Sequence, residues 1–524
     1  MKWVKRLNEI AEWAVLGVGF AILLFLTSLV WRNRFDARSS YPIHTNMVYQ
    51  VIVLVGVLGL GILIFILEKK RTVRQKNIIC CILQIAAVVY LLVIGMSFVS
   101  QLKILPTSDS KSCFDIAQRF LASDFTAVVP KDSYLSLWPF QTGLIFLLEK
   151  QMRIFHTTDP VFFQRMNVLF LVLIVVSGYQ IIRCYTKCVS ACFLYLVLMC
   201  TYFPIIFYAY LIYGNIPAMA MMMFSMWMYL FFERTEIIPL KIATAICFFG
   251  STVLACVYKP TCKIYLIALL IATVFTVIRE KNYIKSLFVL ITLIAAMLIP
   301  VVVQRYYENY AHDNCGDGVP AVAYLAMGLQ YNGEEAIPGG WNGYHANLYM
   351  ETGYDSVKTS EISKESIKDS LSKFKDDPSY MSMFFYNKLL KQWANQTHAV
   401  FWSMDALWDT NRNQASPWVK FVETGKYENW LIFIDCHESV VYGVLLLGLM
   451  GVIYCKVKRK GNNTNLQNLL PLIIFIGGFL FSIIWEGQTQ AVLYYPVLLL
   501  PYAVAMMFLC AEFILETRSG RGFR

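Results

Sequence analysis

A single carboxylate just beyond the third apolar stretch of the chain has a position that suggests chemistry. Asp109 ends the sequence Pro-Thr-Ser-Asp and would lie at the depth of the lipid headgroups if that stretch crosses a membrane. A carboxylate there can accept a proton from a hydroxyl group and so make it a better nucleophile. The structural alternative is that Asp109 caps the helix that follows, with Ser108 as a second candidate for the cap. The residues themselves leave both roles open.

Three cations at the ends of apolar stretches are candidates for binding a phosphate group. Lys259 and Lys263 flank a Lys-Pro break, and Arg165 lies near the start of another stretch beside Gln164 and Asn167. An ammonium group pairs with phosphate as a point charge, whereas a guanidinium group can form two parallel hydrogen bonds. Lipid headgroups and snorkelling explain the two lysines equally well, and a pair with a neighbouring helix explains Arg165.

Aromatic residues in a long polar segment could bind sugar rings. Trp341 and Tyr344 offer flat surfaces for stacking, although such residues more often form the core of a small domain. Neither the acidic residues of this segment nor the 14 cysteines of the chain follow the ligand spacing of an EF-hand or a zinc site. We therefore assign no metal ligand and no certain cofactor, and a divalent ion remains possible.

The elements that must position these residues are membrane helices. The chain has 524 residues, of which 58% are hydrophobic and only 15% charged, whereas soluble domains are about 45–50% apolar and about 25% charged. Apolar stretches near the length of about 20 residues that crosses a bilayer recur along the chain. They cover 11–31, 47–67, 78–99, 160–182, 189–212, 216–232, 242–257, 264–278, 286–304, 429–454, 468–485 and 491–512. We predict an all-α polytopic membrane protein with about 12 transmembrane helices and a small outer-face domain.

The basic residues predict how these spans are oriented. The net charge of +11 comes largely from Lys and Arg in alternate connecting segments, including both termini and residues 69–76 and 456–460. Cations concentrate on the cytoplasmic side of membrane proteins. We therefore expect a cell-membrane protein with both termini cytoplasmic. Because topology accounts for about half of the cations, the charge does not require nucleic acid as a partner.

Two polar segments on the opposite side divide the chain. Residues 1–304 are predicted to form an N-terminal transmembrane module that includes an outer loop at 100–159. Residues 305–428 are long enough for an extracytoplasmic domain, and residues 429–524 form the C-terminal transmembrane helices. Within the outer loop, apolar residues at helical spacing over 144–155 predict an amphipathic helix along the membrane interface.

Several short motifs occur in an order that resembles the bacterial GT-C membrane glycosyltransferases, which are related to protein O-mannosyltransferases and lipid A aminoarabinose transferases. The motifs are Asp109 with Trp138–Gly143, then Tyr213–Pro217, then Gly318–Ala321 with Met327–Gln330 and Pro338–Tyr344, and finally Gly477–Phe479 with Trp485–Gln490. They extend over nearly the whole chain. The resemblance implies a GT-C-like fold and glycosyl transfer.

The resemblance also implies roles for individual residues, and the chain departs from the family in two places. Asp109 matches the proposed general base of the family. The matching substrate positions, together with the three cations above, are Gln141, Tyr213, Asn215, Trp341 and Glu486. Asn215 stands where many members have an acidic residue, and Gln488 and Gln490 stand where relatives often have a Lys. An altered active site, or a catalytically inactive scaffold, is therefore an alternative.

The function predicted from these residues is inverting glycosyl transfer. A sugar would move from a polyprenyl-phosphate donor to an acceptor at the outer face of the membrane, where envelope glycans, lipids and proteins are all candidate acceptors. The rival prediction is a multi-pass transporter or flippase of lipid-linked glycans. Transporters usually contain internal repeats, and no such repeat is visible in the sequence.

Overall fold

The part of the chain that this computed structural model describes is mostly helical and contains one short pair of strands. The structure describes residues 2–35, 42–45, 47–280, 283–331, 338–401, 404, 414–458 and 466–518. Strands β1 (Asn33–Phe35) and β2 (Pro42–His44) pair antiparallel, with Asn33 opposite His44. The predicted all-α class is confirmed.

The described part of the chain forms the following α-helices, in sequence order. The first eleven are α1 (Lys2–Arg32), α2 (Met47–Glu68), α3 (Val73–Leu102), α4 (Ser108–Leu121), α5 (Tyr134–Leu137), α6 (Thr142–Phe155), α7 (Pro160–Tyr185), α8 (Val189–Cys200), α9 (Phe203–Phe207), α10 (Asn215–Arg234) and α11 (Ile238–Tyr258). The remaining helices are α12 (Lys263–Glu280), α13 (Tyr283–Ala311), α14 (Ala321–Gly328), α15 (Tyr344–Glu351), α16 (Ser356–Asp376), α17 (Pro378–Trp393), α18 (Pro417–Glu423), α19 (Leu431–Lys458), α20 (Leu470–Ile484), α21 (Thr489–Val492) and α22 (Tyr494–Arg518).

The number of membrane spans differs from the prediction. Among the described residues, nine helical segments are long and apolar enough to cross a membrane, or ten if α8 and α9 count as one bent span. The predicted spans 264–278 and 468–485 correspond to the shorter apolar helices Pro260–Phe275 and Leu470–Ile484. A helix of 15 residues such as α20 is only about 22 Å long, less than the hydrocarbon core of about 30 Å. The multi-span architecture is confirmed, whereas the count of about 12 is not.

The bend between α8 and α9 directs the chain towards the candidate site. The two helices meet at 55° across residues 201–202. The carbonyl groups of residues 209–211, which follow the bend, accept hydrogen bonds from the side-chain amides of Gln164 and Asn167 within 3.1 Å. Since an unpaired carbonyl group costs several kcal/mol in lipid, these two α7 side chains permit a non-helical course that ends at Tyr213.

The segments that connect the spans pack together at one end of the helix bundle. This loop end is where α3 and α11 finish and α10 begins. The main-chain N–H of Val319 donates to the carbonyl of Leu137 at 3.1 Å, which joins the segment 305–428 to the segment 100–159. The predicted amphipathic helix is present as α6, and it packs against α4, α11 and α13. Its Glu149, which is buried, pairs with Arg153 at 2.6 Å.

A buried polar cluster ties the bend to the C-terminal helices. The hydroxyl of Tyr202 donates to Oε2 of Glu438 at 2.6 Å and lies 3.2 Å from Nε2 of His398. Glu438 is only 1% exposed, and its Oε1 lies 3.7 Å from the same histidine nitrogen. Ionisable groups inside a membrane protein face its interior and pair with one another. Through this cluster the chain around His398 is fixed to both α19 and the bend.

Replacing Tyr202 with Phe should destabilise the protein. Loss of the hydroxyl removes the hydrogen bond to the buried Glu438 carboxylate, which we expect to lower the free energy of unfolding by about 1–3 kcal/mol. Unfolding of the purified protein in detergent, followed by circular dichroism, measures this change. Tyr49→Phe, at a tyrosine that is 62% exposed, is the matched control. Equal stability of the two variants would contradict a stabilising role for the cluster.

Candidate active site

A small polar cavity of about 80 Å³ lies at the loop end, between the last turns of α11 and α20 and the first turn of α10. Its aromatic wall consists of Phe481, Trp485 and Tyr494. Its polar wall consists of Asn215, Lys259, Thr261, Glu486, Gln488 and Gln490. Three of the predicted site residues, Asn215, Lys259 and Glu486, therefore face one space.

Asp109 is held in place by a chain of hydrogen bonds. It lies in the first turn of α4, where it is exposed, and its Oδ2 accepts a hydrogen bond from the hydroxyl of Tyr213 at 2.9 Å. The same hydroxyl accepts a hydrogen bond from Nε2 of the buried Gln141 at 2.6 Å. The N-cap of α4 is Thr107, so neither Asp109 nor Ser108 is the helix cap. Asp109 is thus oriented by two residues that the sequence also singled out.

Lys259 joins this chain of hydrogen bonds to the cavity. Its Nζ lies 3.8 Å from the centre of the Tyr213 ring and donates to Oδ1 of Asn215 at 2.6 Å. Burial lowers the pKa of Lys259 to about 8, while the negative charge of Asp109 acts in the opposite direction. A cation over an aromatic face is stabilised by the ring quadrupole. The ammonium group is therefore held close to Asp109 at the edge of the cavity.

A tight turn at Gly214 brings Tyr213 and Asn215 to the two sides of Lys259. Gly214 has a φ of +75°, and a Cβ atom at this position would lie 2.7 Å from the carbonyl oxygen of Tyr258. A residue with a side chain would be strained here and would also push the turn away from the end of α11. The glycine thus permits the close contact that forms this part of the site.

Glu486 is the second carboxylate of the site. It lies two residues beyond α20, and its Oε1 accepts a hydrogen bond from Nε2 of Gln488 at 2.5 Å. The pKa of Glu486 is raised to about 7, chiefly by burial and also by the charge of Asp109, against the lowering effects of Gln488 and Lys388. Glu486 therefore changes its charge near neutral pH, within the electrostatic field of Asp109.

Six of the nine predicted site residues are not among the residues that line the cavity: the three in the hydrogen-bond chain around Tyr213, and Arg165, Lys263 and Trp341. Arg165 is exposed, and its Nε donates to Oγ of Ser100 at 3.0 Å. Lys263 is exposed at the start of α12, and Trp341 is 62% exposed. The exposure of Trp341 also excludes it from a domain core.

The short motifs that are far apart in the sequence come together around the cavity. The N–H of Gly487 donates to the carbonyl of Gly339 at 2.7 Å, and the ring of Tyr324 stacks on Trp485 at 5.2 Å with an angle of 10° between the planes. Near them, Val319 bonds to Leu137, the residue before Trp138. The segment 305–428 thus supports the end of α20 and the loop that follows α4.

One charged residue of this region was not predicted. Lys388 on α17 is completely buried, and its charge acts on Glu486. The available signal was the helical spacing of Phe384, Lys388 and Gln392, which places a lysine on the buried face of α17.

No group of three or more His, Cys, Asp or Glu side chains that could hold a metal ion is found in the part of the chain that the structure describes.

The fold and the site define a multi-pass, all-helical integral membrane protein with a charged cavity at one end of its helices. Residues 10–509 match the family described as "conserved hypothetical integral membrane protein", and the chain belongs to this family. No curated protein sequence matches it. Among solved structures, the chain is similar to the apo crystal structure of the Archaeoglobus fulgidus oligosaccharyltransferase, with a TM-score of 0.37 and 14% identity. The similarity covers 83% of this chain and 52% of the other, so this chain spans about half of that protein's length.

The low pKa of Lys259 predicts how this residue reacts with amine-directed reagents. The neutral amine is the reactive form, and a pKa of about 8 makes it abundant near pH 8. We expect half-maximal acetylation of Lys259 near that pH. Because Asp109 raises the pKa, Asp109→Asn should move the midpoint to lower pH. Mass spectrometry of labelled peptides measures both midpoints, with the exposed Lys364 as an internal control. Identical pH curves for Lys259 and Lys364 would refute the prediction.

Proposed function

We propose that the protein is a GT-C-type membrane glycosyltransferase that moves a sugar from a polyprenyl-phosphate donor to an acceptor at the outer face of the membrane. The observation that carries this proposal is the position of Asp109. Its carboxylate is oriented by Tyr213, and it lies beside a cavity whose wall includes Lys259 and Glu486. A general base, a cation and a second polar group are the components that glycosyl transfer from a phosphate needs. The motif resemblance described above supports the same activity.

The proposed reaction is a single inverting displacement. Asp109 takes the proton of the acceptor hydroxyl, and the hydroxyl oxygen forms a bond to the anomeric carbon of the sugar. The bond from that carbon to the phosphate oxygen breaks, and its electron pair leaves with the lipid phosphate. The hydrogen bond from Tyr213 orients the Asp109 carboxylate for this step. No covalent intermediate with the protein is required.

In this proposal Lys259 stabilises the leaving phosphate. Its Nζ is partly buried at the cavity wall, where a cation interacts with an anion more strongly than in water. An approaching phosphate would raise the pKa of Lys259 and keep the ammonium form. Arg165 and Lys263 lie outside both the cavity and the hydrogen-bond chain that holds Asp109, so we give them no role at the reacting atoms. Their exposure suits contact with lipid headgroups.

The remaining polar groups of the cavity suit a sugar. Asn215 and Gln490 face each other, with 3.5 Å between Nδ2 and Oε1, and Glu486 offers a further acceptor. Amide and carboxylate groups bind hydroxyl groups through directional hydrogen bonds. Many GT-C enzymes have an acidic residue at the position of Asn215. In this proposal Asn215 binds the sugar through hydrogen bonds instead, so the enzyme does not need a second acid at this position.

The proposed topology follows from the basic residues. With both termini cytoplasmic, the loop end and the domain at 305–428 face the outside, where an envelope glycan, lipid or protein can reach Asp109. The cavity lies at the ends of helices, whereas transporters bind their substrates near the middle of the membrane. This position favours transfer over transport. An enzyme with this topology would meet its lipid donor at the edge of the bilayer.

The test is to replace the proposed base. Asp109→Asn keeps the shape of the side chain but cannot take a proton, so we expect sugar transfer to fall by about 100- to 10,000-fold. The measurement uses proteoliposomes with a panel of radiolabelled polyprenyl-phosphate hexoses and an envelope extract as acceptor, scored by the loss of label from the lipid. Asp115→Asn, at an exposed carboxylate of the same helix that pairs with Lys111, is the control and should keep full activity. Normal transfer by Asp109→Asn would exclude Asp109 as the base.

A further inference from the structure

Lys388 is a fully buried lysine directly behind the candidate site. Its side chain is 0% exposed, although lysine is almost never completely buried unless it is paired. Its Nζ donates to the main-chain carbonyls of Gly328 at 2.6 Å and Ile483 at 3.0 Å. The first carbonyl ends α14 in the segment 305–428, and the second lies in the last turn of α20. The ammonium group therefore links that segment to the helix that leads to Glu486.

The space for this ammonium group is shaped by a glycine. Gly339 has a φ of +66°, and a Cβ atom there would lie 2.3 Å from the Gly328 carbonyl oxygen and 3.0 Å from Nζ of Lys388. Any side chain at residue 339 would have to displace the carbonyl or the ammonium group. The main chain thus surrounds Lys388 closely and fixes the position of its charge.

The same face of α17 also holds the main chain on which Glu486 is placed. Gln392, one turn after Lys388, donates to the carbonyl of Glu486 at 3.4 Å. Oγ1 of Thr489 donates to the carbonyl of Lys391 at 3.2 Å. Together with the bond from Lys388 to Ile483, these contacts hold the main chain before, at and after residue 486, so α17 helps to fix where the Glu486 carboxylate enters the cavity.

The charges around Glu486 have opposite effects on its ionisation. Asp109 on α4 and burial favour the protonated acid, whereas Lys388 on α17 and the hydrogen bond from Gln488 favour the carboxylate. Tyr324 on α14 is near enough for the Glu486 charge to raise its own pKa, and Lys259 is the cation on the other wall of the cavity. An ammonium group has three N–H donors, and the two carbonyls use two of them. Burial lowers the pKa of Lys388 itself to about 7, and the charge of Glu486 acts in the opposite direction. Each group therefore favours the charged form of the other, and Lys388 is an ammonium ion in the acidic range where Glu486 takes up its proton.

We propose that Lys388 is a positioning residue that acts through Glu486, fixing the loop after α20 and keeping Glu486 ionised to accept hydrogen bonds from the sugar hydroxyls. This role rests on the proposed glycosyl transfer. Lys388 touches no substrate, because its side chain is enclosed by protein. It acts on the reaction through the position and the charge of Glu486.

The experiment compares pH profiles of kcat/KM for sugar transfer. In the wild type, activity should fall as pH decreases through about 7, because Glu486 takes up a proton. This fall is the acid limb of the profile. Lys388→Gln keeps an amide donor but removes the charge, which raises the pKa of Glu486. We expect its acid limb to move to higher pH, by up to about one pH unit. Lys388→Arg keeps the charge and should keep the wild-type limb, and the exposed Lys364→Met is a control that should match the wild type.

A double substitution separates positioning through Glu486 from a general structural role. Glu486→Gln removes the titrating group, so adding Lys388→Gln to it should cause no further change in the pH dependence of transfer. An unchanged acid limb in Lys388→Gln, or equal loss of activity at every pH, would overturn the proposal. Should Lys388→Gln fail to fold, a shifted limb in Lys388→Arg would also overturn it, and a wild-type limb would support it.

A measurement independent of activity separates this proposal from the proposed function. Infrared difference spectra between wild type and Glu486→Gln, recorded across pH, report the protonated carboxyl group of residue 486. The same titration in the Lys388→Gln background should show protonation beginning at higher pH. That shift would support the Lys388–Glu486 coupling even if no polyprenyl-phosphate sugar is consumed, and identical titrations would refute the coupling even if transfer is active.

Discussion

Lys259 carries a charge at the partly buried end of a membrane helix, where an ammonium group is costly unless other groups surround it. The ring of Tyr213 lies 3.8 Å from its Nζ, and Oδ1 of Asn215 accepts its hydrogen bond at 2.6 Å. Because Tyr213 also donates to Asp109, the stabilised cation and the exposed carboxylate share one neighbour. The arrangement of the candidate site follows from satisfying this one buried charge.

The course of the chain that delivers Tyr213 depends on hydrogen bonds rather than on hydropathy. After the 55° bend between α8 and α9, the carbonyls of residues 209–211 have no helical partners, and the amides of Gln164 and Asn167 replace them. A lipid environment forbids the bend unless such replacements exist. The polar residues of α7 therefore contribute to the site without entering its cavity.

The two carboxylates of the site have different surroundings, and this difference assigns their proposed roles. Asp109 is exposed and accepts a hydrogen bond from Tyr213, so it suits proton transfer with an incoming hydroxyl group. Glu486 is partly buried with Lys388 behind it, so its ionisation depends on its neighbours. Similar acids in different environments commonly take different roles in one active site. The segment 305–428 supplies Lys388, which acts on a carboxylate in the loop after α20.

The sequence alone determined the membrane class, the positions of the apolar helices and several residues of the site, because lipid imposes a length and composition that a chain displays directly. It also singled out Asp109 and Lys259 from their places at the ends of those stretches, and Asn215 and Glu486 from the motif resemblance. Only the tertiary structure decided that Arg165 and Lys263 lie outside the cavity, that α20 is too short for a full span, and that Lys388 stands behind Glu486. Burial and pairing depend on contacts between residues far apart in the chain, and no local pattern of residue types reports which of them meet.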